Sequence, residues 1–219
     1  MKKQFLFLML CSNMIAFSQQ NVKPNAFINQ SNENNPLTSY SKEWNSPVFK
    51  RCNTAWNANY MNADEQKIIW ILNLIKSNPS LFLKSVLLNP KSIYYKSPSQ
   101  QNHYYRSLVN DLKSLSPNNA LLQPDSINFV SAQCHAVISG QTGYVGHKRE
   151  SDCVRNFSGE CCSYGTGEPL GVVMQLLIDE GVPSLGHRKI CLEYEFKSIG
   201  VSIQPHSRYG NNTVLDFSW

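Results

Sequence analysis

The chain ends in two short runs whose apolar residues suit strands. One holds Phe196, Ile199, Val201 and Ile203, and the other Val214, Leu215 and Phe217. Gly210-Asn211-Asn212 between them reads as the turn of a hairpin. Upstream, the apolar spacing changes to three and four, the mark of helices. A C-terminal antiparallel hairpin preceded by helices allows few solutions, because its apolar faces need helices to cover them. The order predicts an α+β fold with an antiparallel sheet. Five helices are expected. The first is capped by Asn62 with Glu65 three residues later, as a capping box requires, and carries Ile68, Ile69, Leu72 and Ile75. A second runs from Asn78-Pro79 to Pro90 with Phe82 and Val86. A third spans 101–115 with Tyr105, Leu108, Leu112 and Leu115. A fourth follows Pro124 and turns Ile127, Val130, Ala132, Cys134 and Val137 inward. A fifth spans 168–180 with Val172, Val173, Leu176 and Leu177, stopped at Gly181. Residues 91–100 and 141–167 read as loops, the latter for its glycines and weak periodicity.

The N-terminus reads as an export signal over 1–18. Lys2 and Lys3 precede the apolar stretch Phe5 to Leu10, and Ala16-Phe17-Ser18 offers small residues before a cut at Gln19. Cys11 invites a lipoprotein reading, but Leu10 stands where a small residue is wanted. No stretch is long and apolar enough to span a membrane. Residues 19–46, rich in Asn, Gln, Ser and Pro, read as a flexible leader, with order beginning near Trp44 and the folded domain covering 47–219. The formal charge is +5, two units of it from Lys2 and Lys3, with no basic run. That balance gives no reason to expect a nucleic-acid partner. Secretion, to the periplasm or the extracellular medium, suits the six cysteines beyond the signal, which favour disulfides without fixing their pairing.

Two histidines share a glycine context, Gly146-His147-Lys148-Arg149 and Gly186-His187-Arg188. Glu160 and Asp179-Glu180 lie between them. Two imidazoles and two carboxylates suit a divalent metal, or general acid-base work on a bound water. The spacing matches no short helical metal motif. His135, on the fourth helix, reads as a hydrogen-bonded core histidine rather than a ligand.

The string Leu176-Leu177-Ile178-Asp179-Glu180-Gly181-Val182-Pro183-Ser184-Leu185-Gly186-His187-Arg188 resembles the signature of bacterial members of the CAP (SCP-like) superfamily. That superfamily includes cysteine-rich secretory and plant pathogenesis-related proteins. Gly143-Tyr144-Val145-Gly146-His147 resembles its first-histidine motif, and Gly159-Glu160 through Tyr164-Gly165 its central glutamate segment. Glu65-Gln66 through Asn78-Pro79 is similar to its opening helix, and Ile199-Gly200-Val201 with Asp216-Phe217 to its closing strands. The resemblance spans about residues 60 to 219. It implies an α-β-α sandwich, a central antiparallel sheet between helical layers, with a shallow cleft. Position by position, the cleft tetrad is His147, Glu160, Glu180 and His187, with Asp179 a neighbouring candidate for the third place. The two histidines are the implied ligands of Zn2+ or another divalent metal. Arg188 is expected to brace the cleft through a carboxylate such as Glu180.

Cys161-Cys162 departs from the family's usual Asn-Ile. A bond from this pair to Cys153 or Cys134 would pin the glutamate segment. The resemblance implies a secreted, non-enzymatic module whose cleft takes a metal or a small apolar ligand, lipid included. A metal-assisted hydrolase (a peptidase or cell-wall hydrolase) and an envelope interaction module are the alternatives. Ser163 and Ser184 lack the elbow of a serine nucleophile.

Overall fold

The computed structural model describes residues 34–149, 153–193 and 195–219. The export-signal segment and the first part of the leader lie outside them. Residues 34–219 form one compact unit. Residues 34–46, read above as part of the leader, are built into this unit. Leu37 and Trp44 are fully buried, and Trp44 Nε1 donates to Ser85 Oγ at 3.1 Å. The polar composition of this segment concealed Leu37, an apolar anchor that the core accepts seven residues ahead of Trp44.

Helix α1 (Ala63–Ser77) carries the expected capping box. Asn62 Oδ1 accepts from the Asp64 and Glu65 amides, and Glu65 Oε2 accepts from the Asn62 amide at 2.7 Å. Glu65 does a second job: its Oε1 accepts from the Ile203 amide at 2.8 Å, tying the helix start to the sheet. Helix α2 (Pro79–Phe82) continues as a π-helical turn over Leu83–Leu87. Helix α3 (His103–Ser114) follows the 91–100 connection, which holds only a 3-10 turn at Pro98–Gln100.

The sheet has four strands in the order β1-β3-β4-β2. They are β1 (Gln123–Pro124), β2 (Gly159–Tyr164), β3 (Ser198–His206) and β4 (Gly210–Ser218). The expectation of an antiparallel sheet holds for β3–β4 and β2–β4, but β1 pairs with β3 in parallel, so the sheet is mixed. Pro124 belongs to that short strand, and helix α4 (Ser126–Thr142) is capped instead by Asp125, whose Oδ1 accepts from Asn128. The hairpin turns at 207–209, with Gly210 already paired to His206.

Two expectations fail on physical grounds. Strand β2 lies inside the segment read as loop. Both of its faces are covered, so Glu160-Cys161-Cys162-Ser163 carries no alternation to betray it. Of the residues expected inward on helix α4, Ala132 is buried but the large apolar ones at its start are not. Ile127 and Val130 are 60% and 62% exposed, while Asn128, Ala132, His135, Ala136 and Gly140 are buried. Close approach decides this. A Cβ on Gly200 would lie 2.0 Å from Phe129 N, and one on Gly140 would lie 2.1 Å from Pro205 O. The backbones of α4 and β3 therefore meet at both ends of the helix, and each point of contact requires a glycine.

Side chains alternate across the sheet. Ala132, Ala136, Cys162 and Val214 pack together on the α4 side. Cys161, Ile199, Val201, Leu215 and Phe217 join the main core with α1 and with helix α5 (Pro169–Ile178). Helices thus cover both faces. Helix α6 (Gly186–Leu192) packs against β2 and α5.

Candidate functional site

The edge strand β2 organises the site. His147, in the connection after α4, makes a 2.8 Å hydrogen bond through Nδ1 to Glu160 Oε1. The other oxygen of Glu160 accepts from Arg149 Nε at 3.0 Å and from Arg149 Nη2. Arg149 Nη2 also donates to both oxygens of Asp216, at 3.0 and 2.7 Å. Its Nη1 donates to Ser131 O at 2.7 Å, and its guanidinium stacks on Phe157. Glu160 and Asp216 are direct cross-strand partners. Two carboxylates facing each other repel, and the single guanidinium between them offsets that.

Burial acts differently on the two acids. It would raise the Glu160 carboxyl, but the hydrogen bond from His147 and the charge of Arg149 outweigh it and hold the group below its usual range. Asp216, fully buried, is pushed up to about 7 despite Ser131 and Arg149, with Glu160 adding to the rise. Burial also lowers His135, whose Nε2 bonds Gly146 O at 2.9 Å.

His187 opens α6. Asp179 Oδ1 accepts from its Nδ1 at 2.7 Å, and Asp179 Oδ2 accepts from the His187 and Arg188 amides at 3.0 and 3.3 Å. Asp179 and Leu185 both adopt the left-handed conformation (φ 56° and 53°). They bracket the turn that swings the chain from the end of α5 into α6, a backbone cost that non-glycine residues carry where surrounding contacts hold them.

The two imidazoles meet across a cleft of about 500 Å3, with ring centroids 5.6 Å apart. Val145, Leu176, Ile178 and Val182 make its wall apolar. Each ring is held at Nδ1 by a buried carboxylate. Among the described residues no hydrogen bond reaches either Nε2. His147 is about half exposed and His187 less so.

Three members of the expected tetrad, His147, Glu160 and His187, thus come together. The carboxylate on His187 is Asp179. Glu180 stays on the cleft rim, where its Oε1 accepts from Asn102 Nδ2 at 2.7 Å. Arg188 is fully buried as a brace, but its carboxylate is Asp111 at 2.9 Å rather than Glu180. It also donates to the carbonyls of Tyr104, Leu177 and Ile178. Cys134 and Cys153 bond to each other, with an S–S distance of 2.06 Å, so neither Cys161 nor Cys162 takes them. Both thiols of the adjacent pair are free.

Sequence reasoning passed over two residues here. Arg149 stands two places after His147, in the same Gly-His-Lys-Arg string. Asp216 is an acid inside the apolar run Val214 to Phe217, a placement that calls for a buried partner.

A second donor set lies beside the cleft. Single ligand atoms of His135, Glu160 and Cys162 fall within 4.8 Å of one another, and this buried group could hold a metal ion. His135 and Glu160 are already engaged, as described, by Gly146, His147 and Arg149.

Comparison of the chain with protein-family models, with curated proteins and with solved structures finds no match in any of the three.

Proposed function

We propose that this chain is an exported CAP-type module whose cleft binds a divalent metal ion, zinc foremost, through His147 and His187. One observation carries the reading: two imidazoles face one cleft, each fixed at Nδ1 by a buried carboxylate, with Nε2 unengaged. Carboxylate support of this kind fixes the tautomer, turns the ring and makes the other nitrogen a better ligand. Two imidazoles bound to one tetrahedral ion at about 2 Å hold their centroids about 5 Å apart, close to the 5.6 Å observed. The ion would act as a Lewis acid beside an apolar wall suited to a small apolar ligand.

The helical layers on both faces of the sheet, and the histidine-carboxylate pairs at its edge, support the CAP assignment. The disulfide Cys134–Cys153 supports an oxidising destination. Hydrolysis through a side-chain nucleophile fits poorly. The Ser163 hydroxyl is buried and spent on Gln175 Oε1. Burial holds the Cys162 thiol protonated, well above its usual range.

The test is calorimetric titration of Zn2+ into chelator-stripped protein, beside the double variant His147→Ala/His187→Ala. Binding near micromolar in the parent and lost in the variant is the expected result. A parent that takes up no zinc overturns the reading.

A further inference from the structure

We propose that Cys161 and Cys191 are the two halves of a second disulfide, one that fastens α6 to β2 beneath the cleft when the folding chain meets an oxidant of the small-molecule disulfide class. Their Sγ atoms stand 4.0 Å apart with both side chains fully buried. Closing to a bond asks for an approach of about 2 Å between the two sulfurs. Among the described residues with free thiols, this is the pair in contact. Alternation along β2 explains why Cys161 and not Cys162 is used. Cys161 faces the main core and α6, while Cys162 faces α4 and lies 3.7 Å from His147 Nδ1.

The placement ties the bond to the site. Cys161 follows Glu160, the residue that holds His147, and its Sγ lies 3.6 Å from the His187 carbonyl oxygen. Cys191 sits one helical turn beyond His187. The cross-link therefore joins the strand that positions one histidine to the helix that carries the other. It fixes their separation, a consequence that rests on the metal reading proposed above. The bond itself does not.

The exchange balances. One thiolate attacks the oxidant's sulfur and releases one small thiol. The second thiolate attacks the mixed disulfide and releases another. The protein gives up two thiol protons and two electrons, and both pass to the oxidant. Both thiols are fully buried in the closed structure, out of reach of the oxidant, so the bond forms while the chain folds.

The experiment refolds the whole chain in a mixture of reduced and oxidised glutathione, alkylates the remaining thiols and maps the digest without reduction. A peptide joining Cys161 to Cys191, with Cys52 and Cys162 alkylated, is the expected result. Alkylation of both Cys161 and Cys191 overturns the proposal. Cys191→Ala then leaves Cys134–Cys153 intact, and its zinc affinity should fall about tenfold below that of the cross-linked parent. Should that variant not fold, oxidised and reduced forms of Cys134→Ala/Cys153→Ala give the same comparison. Equal affinities overturn the link to the cleft. A cross-linked parent that binds no zinc overturns the metal reading while the disulfide stands.

Discussion

At the scale of single residues, the site depends on which acid serves which imidazole. Asp179 holds His187 and caps α6, while its neighbour Glu180 reaches Asn102 on the rim. Asp179→Asn should weaken zinc binding about 10- to 100-fold, whereas Glu180→Gln should leave it within about twofold. Titration of both variants decides between them. Asp216 offers a test by pH. Its carboxyl is raised from 3.8 to about 7 in the folded chain, so the native state holds this proton more tightly than the unfolded one. Its contribution to stability is whole below the unfolded value and is lost as pH rises through the folded one. Thermal unfolding should therefore show the parent losing stability between pH 4 and 7 relative to Asp216→Asn. Parallel profiles would refute the shift. Glu160, lowered instead, works the other way: its contribution is lost as pH falls through its folded value.

At the scale of elements, the contact of α4 with β3 decides where the cleft lies. It sets the helix whose C-terminal connection delivers His147. A methyl on Gly200 would meet Asn128 and Phe129 backbone atoms at 2.0 to 2.5 Å, and backbone cannot swing aside as a side chain does. Gly200→Ala should cost about 3 kcal/mol or more, read as a lowered midpoint in denaturant unfolding. The same contact explains why apolar spacing misread the inward face of α4. The face of α4 that meets the sheet holds Asn128, Ala132, His135, Ala136 and Gly140, a mixed set with no apolar stripe, and Ile127 and Val130 are left outside.

At the scale of the whole molecule, the segment before α1 belongs to the fold. Trp44 is buried against Phe49 at 4.9 Å between ring centroids and bonds Ser85. Asn73, buried in α1, donates to Cys52 O and Leu122 O and accepts from the Leu122 amide at 2.8 Å, which binds that segment to the start of β1. Trp44→Ala should cost about 3 to 5 kcal/mol, measured by chemical denaturation. A loss under about 1 kcal/mol would show the segment to be an ornament on the domain.

Local signals lie in neighbouring residues, so the sequence by itself determined what they govern. The capping box of Asn62 and Glu65, the helices α1, α3 and α5, the closing hairpin and the paired His-Gly contexts all follow from spacings of a few residues. Contacts between distant segments decided the rest. Strand β2 exists because β4 pairs with it and both faces are covered. Asp179 rather than Glu180 meets His187 because a left-handed turn places it there. Cys134 meets Cys153 because it stands with Ile127 and Val130 on the outer side of α4, while Cys162 packs against Ala132 and Ala136 on the inner side and Cys161 faces the main core. Those choices depend on which surfaces meet in three dimensions, and no periodicity along the chain records that.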